Sequence, residues 1–315
     1  MSRPNRRNFL KSAAATGAAA LTTNPRPARA QETRPVRISA PSAAGREAET
    51  GTPAAAVEVL TGDRPGADFM IDVLKSLGFE YICANPGSSF RGLHESIINY
   101  GGNHNPEFIT CCHEESSVAM AHGYAKIEGK PACVLAHGTV GLQHASMALY
   151  NAYCDRAPVY MIVGNTVDAV SRRPGVEWAH SVQDAAAMVR DFVKWDDLPA
   201  SLPHFGESAI RAYKIAMTPP MMPVLLVADL DLQENPFPEA WPRIPKLVLA
   251  RAPQADSGSV AEVARLLVYA ENPVLVAGRV ARTPAGMKAL VEMAEILQAP
   301  VVDQNDRMNF PAGIP

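Results

Sequence analysis

The chain has 315 residues, 47% of them hydrophobic and 19% charged, which fits about two globular domains with a substantial core. No apolar run reaches the roughly 20 residues that would span a bilayer, which argues against stable membrane insertion. The formal charge is −3, but six of the 29 basic residues fall in the first thirty positions, leaving 23 against 32 acidic ones beyond them. That acidic remainder argues against nucleic-acid binding, which needs a basic surface.

At the N-terminus, Asn5-Arg6-Arg7-Asn8-Phe9-Leu10-Lys11 precedes an Ala-rich, weakly hydrophobic stretch from Ser12 to Thr23, and Ala28-Arg29-Ala30 stands before Gln31. A basic head, an apolar middle and a small-residue cleavage site in this order form an export signal over residues 1–30. It resembles the twin-arginine class, with Asn5 where Ser or Thr is usual. The resemblance implies the twin-arginine translocase as a partner, a periplasmic location and folding before transport. The alternative for the same residues is a flexible basic N-terminus. Residues 31–61, rich in Ala, Pro, Arg, Ser and Glu without periodicity, read as a linker.

From Gly66 the pattern is regular. Phe69, Met70, Val73, Leu74 and Leu77 recur at helical spacing up to Gly78. Tyr81 to Ala84 is a short buried strand, ended by the turn Asn85-Pro86-Gly87-Ser88. A helix from Arg91 to Tyr100 and a strand from Glu107 to Thr110 follow. Next come a helix opened by Glu114, a strand from Ala132 to Ala136, a helix from Leu142 to Cys154 and a strand from Val159 to Val163. Helices are also expected over Asp184–Asp191 and Glu207–Met217, and a last buried strand over Val224–Ala228. Strands alternating with helices predict an α/β fold, a parallel sheet with helices on both faces, over residues 62–230.

Residues 231–252, with Pro236, Pro238, Pro242 and Pro245, read as a connector. Over 253–315 a helix from Val260 to Ala270, a strand from Pro273 to Gly278, a helix from Pro284 to Gln298 and a strand from Pro300 to Val302 begin a second α/β unit. Two strands and two helices are few for an independent layer, so the expectation is a truncated, Rossmann-like central domain. The five cysteines (Cys83, Cys111, Cys112, Cys133 and Cys154) show no C-x-x-C spacing and are odd in number. They support neither a zinc site nor a disulfide framework and read as structural.

Chemistry concentrates in two loops. Glu114 stands at the mouth of a helix of small residues, and His137 in Ala136-His137-Gly138-Thr139-Val140-Gly141 follows the next strand. An acid and an imidazole at the carboxyl ends of neighbouring parallel strands face one crevice, where open α/β sheets bind ligands. The structural alternative for Glu114 is a charge favourably placed at a helix N-terminus, worth about 0.3–1 kcal/mol. For His137 it is a histidine bonded to a loop carbonyl, and for Ser88 an ordinary turn residue.

Asn85-Pro86-Gly87-Ser88, His113-Glu114 with Gly123-Tyr124-Ala125, the His137 loop, Ala157-Pro158, and Gln183-Asp184 before Lys194-Trp195 occur in one order and spacing. Together they resemble the thiamine-diphosphate-dependent enzymes of the acetolactate synthase and benzoylformate decarboxylase type, specifically their N-terminal pyrimidine-binding domain and the start of their central domain. The resemblance implies that Glu114 bonds N1′ of the cofactor's aminopyrimidine, in a turn formed with Pro86 and Gly87. A carboxyl held out of water can shuttle a proton near neutral pH, and the cofactor then supplies the electron sink for breaking the bond beside a 2-keto group. His137 would protonate the product-forming carbon or orient the substrate carboxylate, Ser88 would contact that carboxylate, and Gln143 and His144 would border the pocket. Mg²⁺ is implied on the diphosphate, yet no Gly-Asp-Gly motif occurs in these residues, so no metal ligand is assigned in this chain. Flavin binding, found in the acetolactate synthase branch, stays open, as does the choice between lyase and transferase. A homodimer or homotetramer is implied for the whole enzyme, and a chain limited to these residues is expected not to turn over alone. The second reading is a non-catalytic pyrimidine-domain subunit that assembles with a separate partner.

Overall fold

The computed structural model describes residues 64–237, 240–251, 253–278, 283–303 and 310; the expected signal over 1–30 and linker over 31–61 lie outside them. Helix α1 (Gly66–Ser76) fully buries Phe69, Met70, Val73 and Leu74 on one stripe, each side chain contributing about 1.5–3 kcal/mol of transfer free energy. The chain leaves that helix through Gly78 at φ +74, a left-handed turn that favours glycine.

Six strands follow: β1 (Tyr81–Ala84), β2 (Glu107–Thr110), β3 (Cys133–Ala136), β4 (Tyr160–Asn165), β5 (Trp195–Asp197) and β6 (Val224–Asp229). They form one sheet in the order β2-β1-β3-β4-β6-β5, and every pairing is parallel. Alternation along the strands sends side chains into two cores. Cys133, Leu135, Tyr160, Ile162, Val224 and Leu226 join α1 and α6 (Leu202–Met217) on one face. Val134, Ala136, Met161, Val163, Leu225 and Val227 join α3 (Glu114–Glu128) and α4 (Thr139–Cys154) on the other. Both faces are thus covered, which is why the central strands read as unbroken apolar runs. Tyr160, wholly buried, donates its hydroxyl to the Ala209 carbonyl at 3.0 Å.

Strand β1 lies between β2 and β3, so the chain runs outward to β2 and then returns past β1 to β3. This reversal opens a crevice at the carboxyl ends of β1 and β3, the usual ligand position in such sheets. Farther along, α8 (Ser257–Tyr269), β7 (Leu275–Ala277), α9 (Pro284–Leu297) and β8 (Val301–Asp303) carry a parallel two-stranded sheet. Its small core holds Leu275, Ala277, Leu290, Ala294 and Ala299.

Several expected elements change. Residues 184–191 form no α-helix: Asp184 Oδ1 accepts the Ala187 amide, Arg190 bridges Asp184 and Asp196, and the backbone closes into 3₁₀ turns over Ala186–Met188 and Arg190–Phe192. The helix expected from Glu207 begins at Leu202, where Ser201 accepts the His204 amide as an N-cap. The helix expected over Arg91–Tyr100 is split into α2 (Arg91–Glu95) and a π turn (Ser96–Tyr100). The edge strand β5, the short helix α5 (Glu177–His180) and the helix α7 (Leu230–Glu234) inside the expected connector are additions.

Candidate active site

On the acid side of the crevice, the Cys111 amide donates to the Ala84 carbonyl at 2.8 Å and ties the end of β2 to β1. His113 is extended and caps α3, its Nδ1 accepting the Glu115 amide at 3.2 Å. Glu114 is therefore the first helical residue, turned inward and 4% exposed. Asn85, the first residue past β1, donates to Glu114 Oε1 at 3.1 Å, and His144 Nδ1 lies 3.3 Å from Oε2. The N-terminus of α3 places its positive end beside this carboxylate.

The imidazole side is built from three loops. His137 follows β3, and its Nδ1 meets Ser89 twice: the Ser89 amide donates to it at 3.3 Å and the Ser89 hydroxyl stands at 2.8 Å. That hydroxyl accepts the Gly138 amide at 2.9 Å, which leaves its proton for Nδ1. A peptide amide can only donate, so Nδ1 is an acceptor and the ring proton sits on Nε2. Burial holds His137 below the usual histidine pKa, the His180 ring adds to the depression, and Glu114 opposes it. The His180 ring stands edge-on to it, 4.7 Å between centroids.

Glycines set the spacing between these groups. A methyl group on Gly141 would stand 3.1 Å from both Glu114 Oε1 and His137 Cβ, and one on Gly87 would stand 2.7 Å from His137 Cβ. With no side chain at 141, the first turn of α4 lies directly against the buried acid. Beyond it, Asn165 Oδ1, Thr166 Oγ1 and His180 Nδ1 are buried without a hydrogen-bond partner. Buried polar atoms of this kind are met by a ligand or ordered water. The outer lip is clamped by Glu177, which accepts from Arg173 and faces Arg91 Nη1 at 3.4 Å. The Arg173 bond above all lowers its pKa to about 2.

Of the residues singled out in the sequence, Glu114, His137 and Gly87 meet in this crevice. Pro86 and Ser88 lie exposed in the turn after β1, and the Ser88 carbonyl accepts from Arg91. Gln143 is exposed on α4, next to His144. Sequence reasoning missed Asn85 as a partner of the acid, Ser89 as the holder of His137, and His180. The doubled serine after Pro86-Gly87 was the available signal for Ser89: the 3₁₀ turn over Ser88–Phe90 turns Ser89 inward and leaves Ser88 outside.

Residues 64–188 match the family described as thiamine pyrophosphate enzyme, N-terminal TPP binding domain. The chain carries the TPP-binding domain of these enzymes. Residues 3–23 match the twin-arginine translocation pathway signal sequence, which supports export by that route. The chain is 28% identical over 245 residues to benzoylformate decarboxylase of Pseudomonas aeruginosa, covering 76% of this chain and 44% of that protein. It is 27% identical over 243 residues to the acetolactate synthase large subunit of Haemophilus influenzae, covering 75% and 40%. A solved structure, benzoylformate decarboxylase from Polynucleobacter necessarius, superposes with a TM-score of 0.64 at 27% identity over 80% of this chain and 46% of that one. The chain thus spans less than half the length of these relatives. The buried acid and the unpartnered polar atoms beyond it, at the crevice of the switch point, suit the aminopyrimidine of thiamine diphosphate.

Proposed function

We propose that this chain supplies the pyrimidine-binding half of a thiamine-diphosphate-dependent lyase or transferase that cleaves the bond beside the carbonyl of a 2-keto acid. The proposed divisions are a signal over 1–30, a linker over 31–61, the pyrimidine domain over 62–230, a connector over 231–252 and a central domain from 253. Magnesium is expected on the diphosphate, with no ligand for it assigned among residues 1–315, and the assembly is a homodimer or homotetramer in the periplasm. The supporting observation is Glu114: a buried carboxylate at the mouth of a crevice, closely approached by Gly141.

The chemistry that thiamine diphosphate supplies when bound is an electron sink for breaking a carbon–carbon bond. Glu114 Oε1, oriented by Asn85, holds a proton at ring nitrogen N1′ and so controls the charge of the pyrimidine. Pro86 and Gly87 form the turn that would face that ring. His137 offers its Nε2–H to the crevice, either as a hydrogen bond to the substrate carboxylate or, once Nδ1 has taken a proton from water and donates to the Ser89 hydroxyl, as the proton for the carbon that has lost carbon dioxide. Ser88 and Gln143, both exposed at the rim, meet the substrate as it enters.

The test is Glu114→Gln in turnover-competent enzyme, which removes the charge and keeps the shape. Turnover of benzoylformate and pyruvate should fall about 10²–10⁴-fold, the range for loss of one acid–base group. A change below tenfold on every keto acid turned over would refute the assignment.

A further inference from the structure

We propose that His113, Glu114 and His144 together bind a divalent transition-metal ion of the zinc class, and that this ion and the coenzyme ring exclude one another. Among the described residues these three form the one group of His, Cys, Asp or Glu whose possible ligand atoms gather within 4.8 Å of one another. The His113 and His144 rings are stacked, 4.7 Å between centroids and 18° apart in plane, so both edges reach the same carboxylate. The 3.3 Å between His144 Nδ1 and Glu114 Oε2 is long for a charged hydrogen bond. It matches the separation of about 3.3 Å between two ligand atoms on one tetrahedral ion with bonds near 2.0–2.1 Å.

Two imidazoles and one carboxylate with a fourth position open to water suit zinc, cobalt or nickel, whereas magnesium and calcium prefer oxygen alone. Among the ion pairs of the described residues, the partner of Glu114 is His144, so no fixed cation stands against an arriving one. His144 is 58% exposed at its side chain and can turn. Coordination through His113 Nε2 moves the ring proton to Nδ1 and gives up the 3.2 Å bond from the Glu115 amide. That amide stands on the exposed first turn of α3, where water replaces the lost acceptor. An ion seated there occupies the carboxylate on which the proposed coenzyme role depends.

Mutual exclusion rests on that proposed role of Glu114; metal binding does not. The experiment titrates Co²⁺ and then Zn²⁺ into the full 315-residue chain, followed by calorimetry and visible absorption. Cys112→Ser and Cys154→Ser are in the background because both thiols are exposed. One ion per chain is expected, and His144→Ala, which alters an exposed side chain, and Glu114→Gln should each weaken binding at least tenfold. Absence of binding, or affinity unchanged in both variants with circular dichroism intact, overturns the site. Thiamine diphosphate should raise the apparent Kd for Zn²⁺. If Zn²⁺ binding depends on His144 and Glu114 and ignores a coenzyme concentration that separately saturates the protein, exclusion is overturned. Failure of the coenzyme to bind even without metal would instead count against the pyrimidine reading.

Discussion

Glu114 and His137 line one crevice under opposite constraints. The acid meets Asn85 and His144 at 3.1 and 3.3 Å, two contacts for a group with about four acceptor positions, so it retains capacity for a ligand. The imidazole has one nitrogen engaged by both donors of Ser89 and the other left to act. On one side the reactive group is under-coordinated, and on the other it is confined to a single tautomer. The scaffold achieves the second with backbone amides and a buried hydroxyl, so chemistry and positioning fall to different residues.

Substitutions can break this division. The largest stability loss is expected for Gly164→Ala, whose new methyl would stand 2.1 Å from the Ser89 carbonyl. Backbone on both sides leaves no flexible atom to yield, so denaturant unfolding should show a loss of about 3 kcal/mol. An unaltered midpoint would mean that the turn after β1 is not positioned by β4. Ser89→Ala strips the Gly138 amide of its acceptor and should cost about 1–3 kcal/mol. It should also move the His137 ring resonances in NMR spectra; unmoved resonances would show that another group holds the ring. His137→Ala should lower turnover of competent enzyme at least tenfold, about 1.4 kcal/mol in the barrier, with little change in stability. Equal turnover across substrates would reduce His137 to a loop residue.

The smallest effect is titration. Burial holds His137 below the usual histidine value of 6.5, so the unfolded chain takes up its proton first as pH falls. The contribution of His137 to stability is therefore present above 6.5 and declines as pH drops through 6.5 toward the lower folded value. An NMR midpoint at or above 6.5 would contradict this environment.

The sheet was legible because its central strands are buried on both faces and keep Asn165 and Asp229 to their carboxyl ends, outside the apolar runs. The acid and the imidazole were legible because each follows a strand and opens or precedes a helix. What escaped was polar and short. Trp195-Asp196-Asp197 forms an edge strand of three residues with no apolar run, and 184–191 follows its Asp184 and Arg190 contacts rather than its apolar spacing. Ser89 and His180 reach His137 across 48 and 43 residues of sequence, counted from their numbers. No local pattern encodes contacts at that separation. The inward turn of Ser89 depends on a single 3₁₀ turn, which a one-residue shift would reverse.

At Gly164 the end of β4 rests against the turn that follows β1, main chain upon main chain. The spacing of these two segments is therefore gauged by peptide units and not by any rotamer. Substitution at Ser88 or Gln143 alters exposed side chains, but the separation of strand end and turn will stay as it is until the glycine is changed.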